Sequence, residues 1–321
     1  MLGRLAWRLA PSLRAVPAPP ESPVSRGIRA AVAAYIVWGL LTVYWKQLTD
    51  FGPFELIGWR MTSSAVVMLV VVAWRGRLGA LRDAFIDTST RWRLTLAGVL
   101  LSVNWTTYVW AVVNDRVLET ALGYFMAPLG TMVLGITVLK ERPTAAQRLA
   151  IGCAVVSVVI LTVSYGRPPW AALAIAISWS TYGLIKRNLE LSSVEGLAGE
   201  TLVMVAPALV VIAVTWSGDA SVANNADAGD WALVAGTGIV TAIPLLLFGV
   251  AARLVPFTIL GALQYIVPTI NFLLGWLAYG EPLPAVRLVG FAFVWIALLA
   301  ITVEQIDHRR SATRVPVLTD V

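Results

Sequence analysis

Ten apolar runs, each long enough to cross a lipid bilayer, govern what this chain can fold into. They cover residues 28–48, 53–74, 92–113, 117–140, 145–165, 169–189, 196–216, 231–253, 257–279 and 284–304. About 20 helical residues span the ~30 Å hydrocarbon layer. No water is available there, so each run must satisfy its own backbone N–H and C=O groups, which a helix does. The expectation is an all-α, polytopic membrane protein of ten transmembrane helices. Only 13% of the residues are charged, against about a quarter in soluble domains. The formal charge of +6 would suggest nucleic acid in a soluble protein. Here the basic residues sit between apolar runs, where they set orientation instead.

With the N-terminus inside, only four of the 24 Lys and Arg residues fall on the outer side, Lys46, Arg116, Arg167 and Arg287, and Arg60 lies within a span. The longest outer loop, 217–230, carries acids and no base. Both termini are therefore expected to be cytoplasmic, in the plasma (inner) membrane. Residues 1–26 are rich in Arg, Pro and Ala and lack the cleavage pattern of a secretory signal. They are read as a disordered tail, with a short interfacial helix over 2–13 as the alternative. Residues 306–321 are read as a second cytoplasmic tail.

One stretch occurs twice. YFMAPLGTMVLGITVLKERP starts at Tyr124, and YIVPTINFLLGWLAYGEP starts at Tyr265. Pro128 and Pro268 are separated by the same interval as Gly135 and Gly275, and as Glu141 and Glu281. Arg60 and Glu200 keep that offset, as do Asn104 and Pro244. The Gly166-Arg167-Pro168-Pro169 joint then divides the chain into halves of five spans, 27–166 and 167–305. An odd number of spans per half turns the second half over, giving two inverted five-helix repeats. Such repeats support alternating access to a site between them.

One Cys and one His exclude an internal disulfide, a Cys/His metal site and most triads. There is no Walker loop, no GxGxxG after a strand, no HExxH and no GxSxG. No cofactor, no metal and no enzymatic activity are expected. The expected partners are the lipid bilayer and a small-molecule solute, with a homodimer allowed and nucleic acid excluded.

The runs Trp38-Gly39-Leu40-Leu41-Thr42-Val43-Tyr44-Trp45-Lys46, Asn104-Trp105-Thr106-Thr107-Tyr108 and Thr241-Ala242-Ile243-Pro244 resemble the RarD branch of the EamA type, within the drug/metabolite transporter superfamily. The resemblance extends over about residues 26 to 305. It implies a ten-helix permease of two EamA repeats, exporting a small organic metabolite or an amphipathic drug such as a phenicol. A non-transporting membrane scaffold or partner subunit is the alternative. The chain departs from the family pattern in its N-terminal extension and at Ala127, where Asn is expected before the proline.

Ionisable groups within spans are costly and default to functional hypotheses. Arg60 is expected to face a cavity, binding an anionic group or pairing with Glu119 or Glu55. Lys46, Glu119, Lys186 and Glu200 are candidates for coupling or for ion pairs. Trp38, Asn104, Trp105, Tyr108, Tyr124, Trp179, Tyr182, Gln264, Tyr265 and Asn271 join Arg60 as candidates for the substrate pathway, because polar and aromatic groups converging in an apolar cavity suit an amphipathic solute. Pro128 and Pro268 are expected mid-helix as hinges, with Gly135 and Gly275 allowing close helix approach.

Overall fold

The structure, a computed structural model, describes residues 23–186, 189–255, 259–260 and 263–313. The tail helix expected over 2–13, and the ends of both tails, lie outside the described residues. The described elements are all helical: α1 (Pro23–Trp45), α2 (Pro53–Trp74), α3 (Leu78–Ile86), α4 (Thr88–Val113), α5 (Val117–Thr137), α6 (Ala145–Tyr165), α7 (Trp170–Lys186), α8 (Ser193–Thr215), α9 (Val222–Asn225), α10 (Ala228–Leu254), α11 (Ile266–Leu273) and α12 (Ala285–Thr313). Among them, eight helices are long and apolar enough to cross a membrane.

Helix ends follow local chemistry. Thr144 with Gln147, Ser192 with Glu195 and Asp227 with Asp230 form capping boxes at the starts of α6, α8 and α10. Each satisfies two N–H groups that the first turn leaves orphaned. Pro53 opens α2, where its missing N–H costs nothing. Gly166 closes α6 at φ 67°, a left-handed conformation that glycine adopts without a Cβ penalty.

Two expected spans fall short. α7 has 17 residues, about 25 Å of helix at 1.5 Å per residue. The ninth span is interrupted by a turn at Gln264 and Tyr265 and resumes as α11, which runs on as a π-helix over Leu274–Ala278. Pro268 therefore sits in the first turn of α11 and not mid-helix. Its missing N–H is tolerated there, so it acts as a restart after a break. Pro128, by contrast, lies inside the continuous α5. Helix also reaches into both expected tails, because α1 already starts at Pro23 and α12 runs to Thr313. The short α3, amphipathic and between spans, was not foreseen from the apolar runs.

The principal packing has an exchange regularity. α1 lies against α10 and α11, while α7 lies against α4 and α5. α2 touches α10, and α8 touches α4. α2 also pairs with α8, α5 with α11 and α6 with α12. Exchanging α1, α2, α4, α5 and α6 for α7, α8, α10, α11 and α12, in that order, returns the same pairs. Gly98 and Gly238, at the repeat offset, make matched close approaches. A Cβ on Gly98 would lie 2.8 Å from the Glu200 carbonyl oxygen, and one on Gly238 would lie 2.5 Å from that of Ser63. The doubled stretch ends alike in both copies. Lys140 and Gly280 have φ of 59° and 63°, and the N–H groups of Glu141 and Glu281 donate to the carbonyls of Gly135 and Gly275.

Polarity is arranged for a hydrocarbon solvent. Val70, Val163, Val210 and Val214 stand exposed, while Glu55, Arg60, Asn104, Glu119, Glu200 and Asn271 are buried. Apolar side chains face out because lipid accepts them, and polar ones turn inward to find partners.

Gly238→Val should destabilise the bundle by about 1–3 kcal/mol, the usual cost of overpacking, because backbone of α2 blocks the added atoms. Thermal unfolding of the purified protein in detergent measures this. Gly152→Ala, at a position open for 4 Å around, should stay within about 0.5 kcal/mol of the parent.

Candidate functional site

A cavity of about 180 Å³ opens where both halves meet. Its walls are Tyr35, Trp38 and Leu41 of α1, Arg60 of α2, Leu101, Trp105 and Tyr108 of α4, and Tyr124, Ala127, Pro128 and Thr131 of α5. From the other half come Trp179 and Tyr182 of α7, Leu197 of α8, Thr241 and Leu245 of α10, then Gln264, Val267 and Pro268.

Arg60 stands two turns into α2 and is 3% exposed. Its guanidinium carbon lies 3.8 Å from the Trp105 ring centroid and 5.4 Å from that of Trp45. Its Nε donates to Thr241 Oγ1 at 3.2 Å. Its Nη1 is buried without a hydrogen-bond partner, and among the described residues no carboxylate comes within ion-pair distance of it. The two carboxylates expected as partners are engaged elsewhere. Glu55 accepts from Trp59 Nε1 at 3.3 Å and from the Val222 N–H at 3.1 Å. Glu119, 2% exposed, pairs with Arg167. Stacking on a desolvated tryptophan contributes ~2 kcal/mol, a fraction of what burying a bare cation costs.

The wall behind Arg60 is a satisfied polar network. Thr42 donates to Asn271 Oδ1 at 2.9 Å and lies 2.8 Å from Tyr108 Oη. A threonine hydroxyl has one proton, so Tyr108 donates to Thr42. Asn104 Nδ2 donates to the Ile175 carbonyl and to Ser178 Oγ, both at 3.1 Å, and its Oδ1 accepts from Tyr124 Oη at 3.2 Å. Tyr108 and Tyr124 meet edge to face at 6.0 Å, and Trp179 stacks on Tyr182 at 5.6 Å.

Of the residues singled out in the sequence, Trp38, Arg60, Trp105, Tyr108, Tyr124, Trp179, Tyr182 and Gln264 come together on this cavity, with Pro128 and Pro268. Asn104 and Asn271 are buried one layer behind. Tyr265 does not join the lining. It packs, half-buried, against the separate cluster around Leu122, Phe125 and Phe272. Gly135 and Gly275 lie away from the cavity, and Gly275 abuts Leu118. Lys46 binds Asp115 at 2.5 Å and sits over the Tyr279 ring. Lys186 binds the fully buried Glu200 at 2.6 Å, and Tyr182 Oη donates to the same carboxylate at 3.0 Å. Sequence reasoning missed Tyr35, Thr42 and Thr241. The first two were legible as neighbours of Trp38 on one helical face, at i−3 and i+4. Thr241 carried no such signal, because its partner Arg60 lies in the other half of the chain.

The repeat-related glutamates differ. Glu281 accepts from the N–H groups of Val117 and Leu118, the latter at 2.9 Å, and so caps the start of α5. Burial pushes its carboxyl above the ordinary range, against the pull of those two donors. Glu141 is exposed.

The EamA-like transporter family matches this chain twice, over residues 25–163 and again over 168–303. The chain belongs to that family. It is 41% identical to Protein RarD of Streptomyces exfoliatus, over 92% of this chain and 94% of that one. It is 35% identical to the uncharacterized transporter YojE of Bacillus subtilis, over 89% and 97%. Protein RarD of Escherichia coli is 32% identical over 90% and 98%. A crystal structure 20% identical in sequence superposes with a TM-score of 0.58, covering 88% of this chain and 99% of its own, which shows a shared fold. The protein is thus a RarD-type, multi-pass membrane transporter of the drug/metabolite kind, and relatives such as YojE are named as transporters.

In this EamA-family chain the Lys186–Glu200 pair is a stability element that can be tested. Lys186→Met strands a buried carboxylate and should cost up to about 3 kcal/mol, the low end for a broken buried pair, since Lys186 keeps some solvent contact. Lys186→Met with Glu200→Leu should recover most of that loss in chemical unfolding. Equal loss in the single and double variants would show that the pair contributes little.

Proposed function

We propose that this chain is a secondary active transporter working by alternating access between two inverted five-helix repeats, residues 27–166 and 167–305. It lies in the inner membrane with both termini cytoplasmic and moves a small organic metabolite or amphipathic drug outward, with protons as the candidate coupling ion. The observation that carries this reading is the cavity itself. One aromatic-walled site is built from α1, α2, α4 and α5 on one side and α7, α8 and α10 on the other, with a desolvated cation in its wall. A non-transporting scaffold would bring its halves together over a dry, filled interface. The exchange regularity of the packing supports the repeat reading. A relative named "Chloramphenicol-sensitive protein RarD" from Pseudomonas aeruginosa is 28% identical over 85% of this chain, so phenicols belong among the solutes to test.

Counterflow in proteoliposomes, against phenicols, amino acids and carboxylic metabolites with and without a pH gradient, tests the reading. Transport of at least one solute is expected. Folded protein that moves none of them would remove it.

Glu281 serves in this reading as an outer latch. It ties the loop after the π-helix to the start of α5, while its counterpart Glu141 stands exposed in the same conformation. Opening to the outside breaks the Glu281 cap, and closing the inside engages Glu141. Removing a cap costs about 0.5–2 kcal/mol. Glu281→Ala should therefore speed outside labelling of Leu41→Cys, in a Cys153→Ser background, by roughly two- to thirtyfold. Glu281→Gln should fall between the parent and Glu281→Ala, because its amide keeps one of the two acceptor oxygens of the cap. A carboxyl whose pKa is raised in the closed state stabilises that state most below its ordinary value of 4.5. That contribution fades as pH rises through the raised value, so outside labelling should accelerate with pH across that window. Identical labelling rates in Glu281→Ala and the parent would sink the latch.

A further inference from the structure

We infer that the cavity takes an organic monoanion, a carboxylate on an apolar or aromatic body, with its oxygens held by Arg60. This rests on reading the cavity as the solute site. Arg60 is charged at neutral pH in any setting, it is 3% exposed, and it lines the cavity. The buried carboxylates of the surrounding helices are committed. Glu55 closes the α2–α9 junction, Glu119 holds Arg167, and Glu200 holds Lys186 and Tyr182. None is spare to neutralise it.

Its geometry is that of a prepared anion receptor. Trp105 covers the guanidinium from one side at 3.8 Å, and Thr241 fixes Nε. Nη1 is left with its hydrogens unmatched. Stacking on a ring leaves the guanidinium edge free, and the edge is what binds a carboxylate through paired N–H···O bonds. Tyr108 and Tyr124 spend their hydroxyl protons on Thr42 and Asn104, and neither oxygen accepts from Nη1.

Charge balance narrows the class. Among the described lining residues Arg60 is the one ionised group, and none is acidic. A monoanion cancels it. A dianion such as a phosphate monoester would leave a net negative charge in a low-dielectric site, which is costly. A zwitterionic amino acid would bring an ammonium that finds no carboxylate there. The rest of the wall suits an apolar body. Trp38, Tyr124 and Trp179 present ring edges and faces, the arrangement aromatic solutes prefer.

Purified full-length protein in lipid nanodiscs, titrated calorimetrically with indole-3-acetate, phenylacetate, indole-3-acetamide, tryptophan and phenyl phosphate, tests this. The two carboxylates should bind about tenfold or more tightly than the neutral amide, the size expected of one charge-assisted bidentate contact. They should also exceed the zwitterion and the phosphate. Arg60→Gln should abolish the difference between acetate and acetamide, and Arg60→Lys should restore part of it. The comparison on the unmodified protein decides the matter even if Arg60→Gln does not fold. Acetamide or tryptophan binding as well as acetate, or no binding of either carboxylate, overturns the proposal. Phenyl phosphate binding more tightly than the carboxylates overturns the monoanion assignment. Binding without counterflow of the same carboxylate in proteoliposomes would instead strike the transport reading and leave the anion site standing.

Discussion

A charge withdrawn from water into an apolar bundle needs a partner from within the bundle, and this requirement organises the structure. Glu200 takes Lys186 and Tyr182, Glu119 takes Arg167, and Glu55 takes the amide of Val222 and the Trp59 indole. The first joins α8 to α7, the second joins α5 to the loop before α7, and the third ties α2 to the loop helix α9. They are distributed so that, among the described residues, no acid is left for Arg60. Arg60 is held instead by tryptophan faces and one threonine, partners that position a cation without cancelling its charge. The cavity owes its chemistry to that residual charge.

The second organising constraint is the doubling of the chain. Helix contacts, two glycine approaches and two left-handed turns recur at one fixed offset along the sequence. Inverted halves, as proposed, would have two nearly equal ways of packing, the physical basis of the proposed rocking mechanism. The glutamates that end the doubled stretch are related in sequence and different in environment, one capping a helix and one exposed. A difference between equivalent groups is what the proposed two-state cycle requires of one of its conformations.

Much of this was readable along the chain. Apolar runs identify most of the spans, since lipid forces each to satisfy its backbone alone. Most of the aromatic set on the cavity was readable as well, because Trp38, Trp105 and Tyr124 lie near midspan, where aromatic groups suit a solute site in an apolar bundle. Spacing misled at Tyr265. It aligns with Tyr124 in the doubled stretch, yet the break at Gln264–Tyr265 turns it toward a different cluster. Periodicity does not register such a break.

The sequence by itself determined the helical class, most of the membrane-crossing segments, the doubling and the family, because each depends on local composition or on a fixed offset. Which carboxylate meets which cation was decided only by the tertiary structure. Arg60 and Glu55 lie little more than one helical turn apart on α2 and do not pair, whereas Arg60 and Thr241 lie in opposite halves of the chain and do. Helix crossings set such distances, and they arise from packing over the whole bundle. That is why the unmatched charge, the feature that gives the cavity its chemistry, appears only once every other charge has been placed.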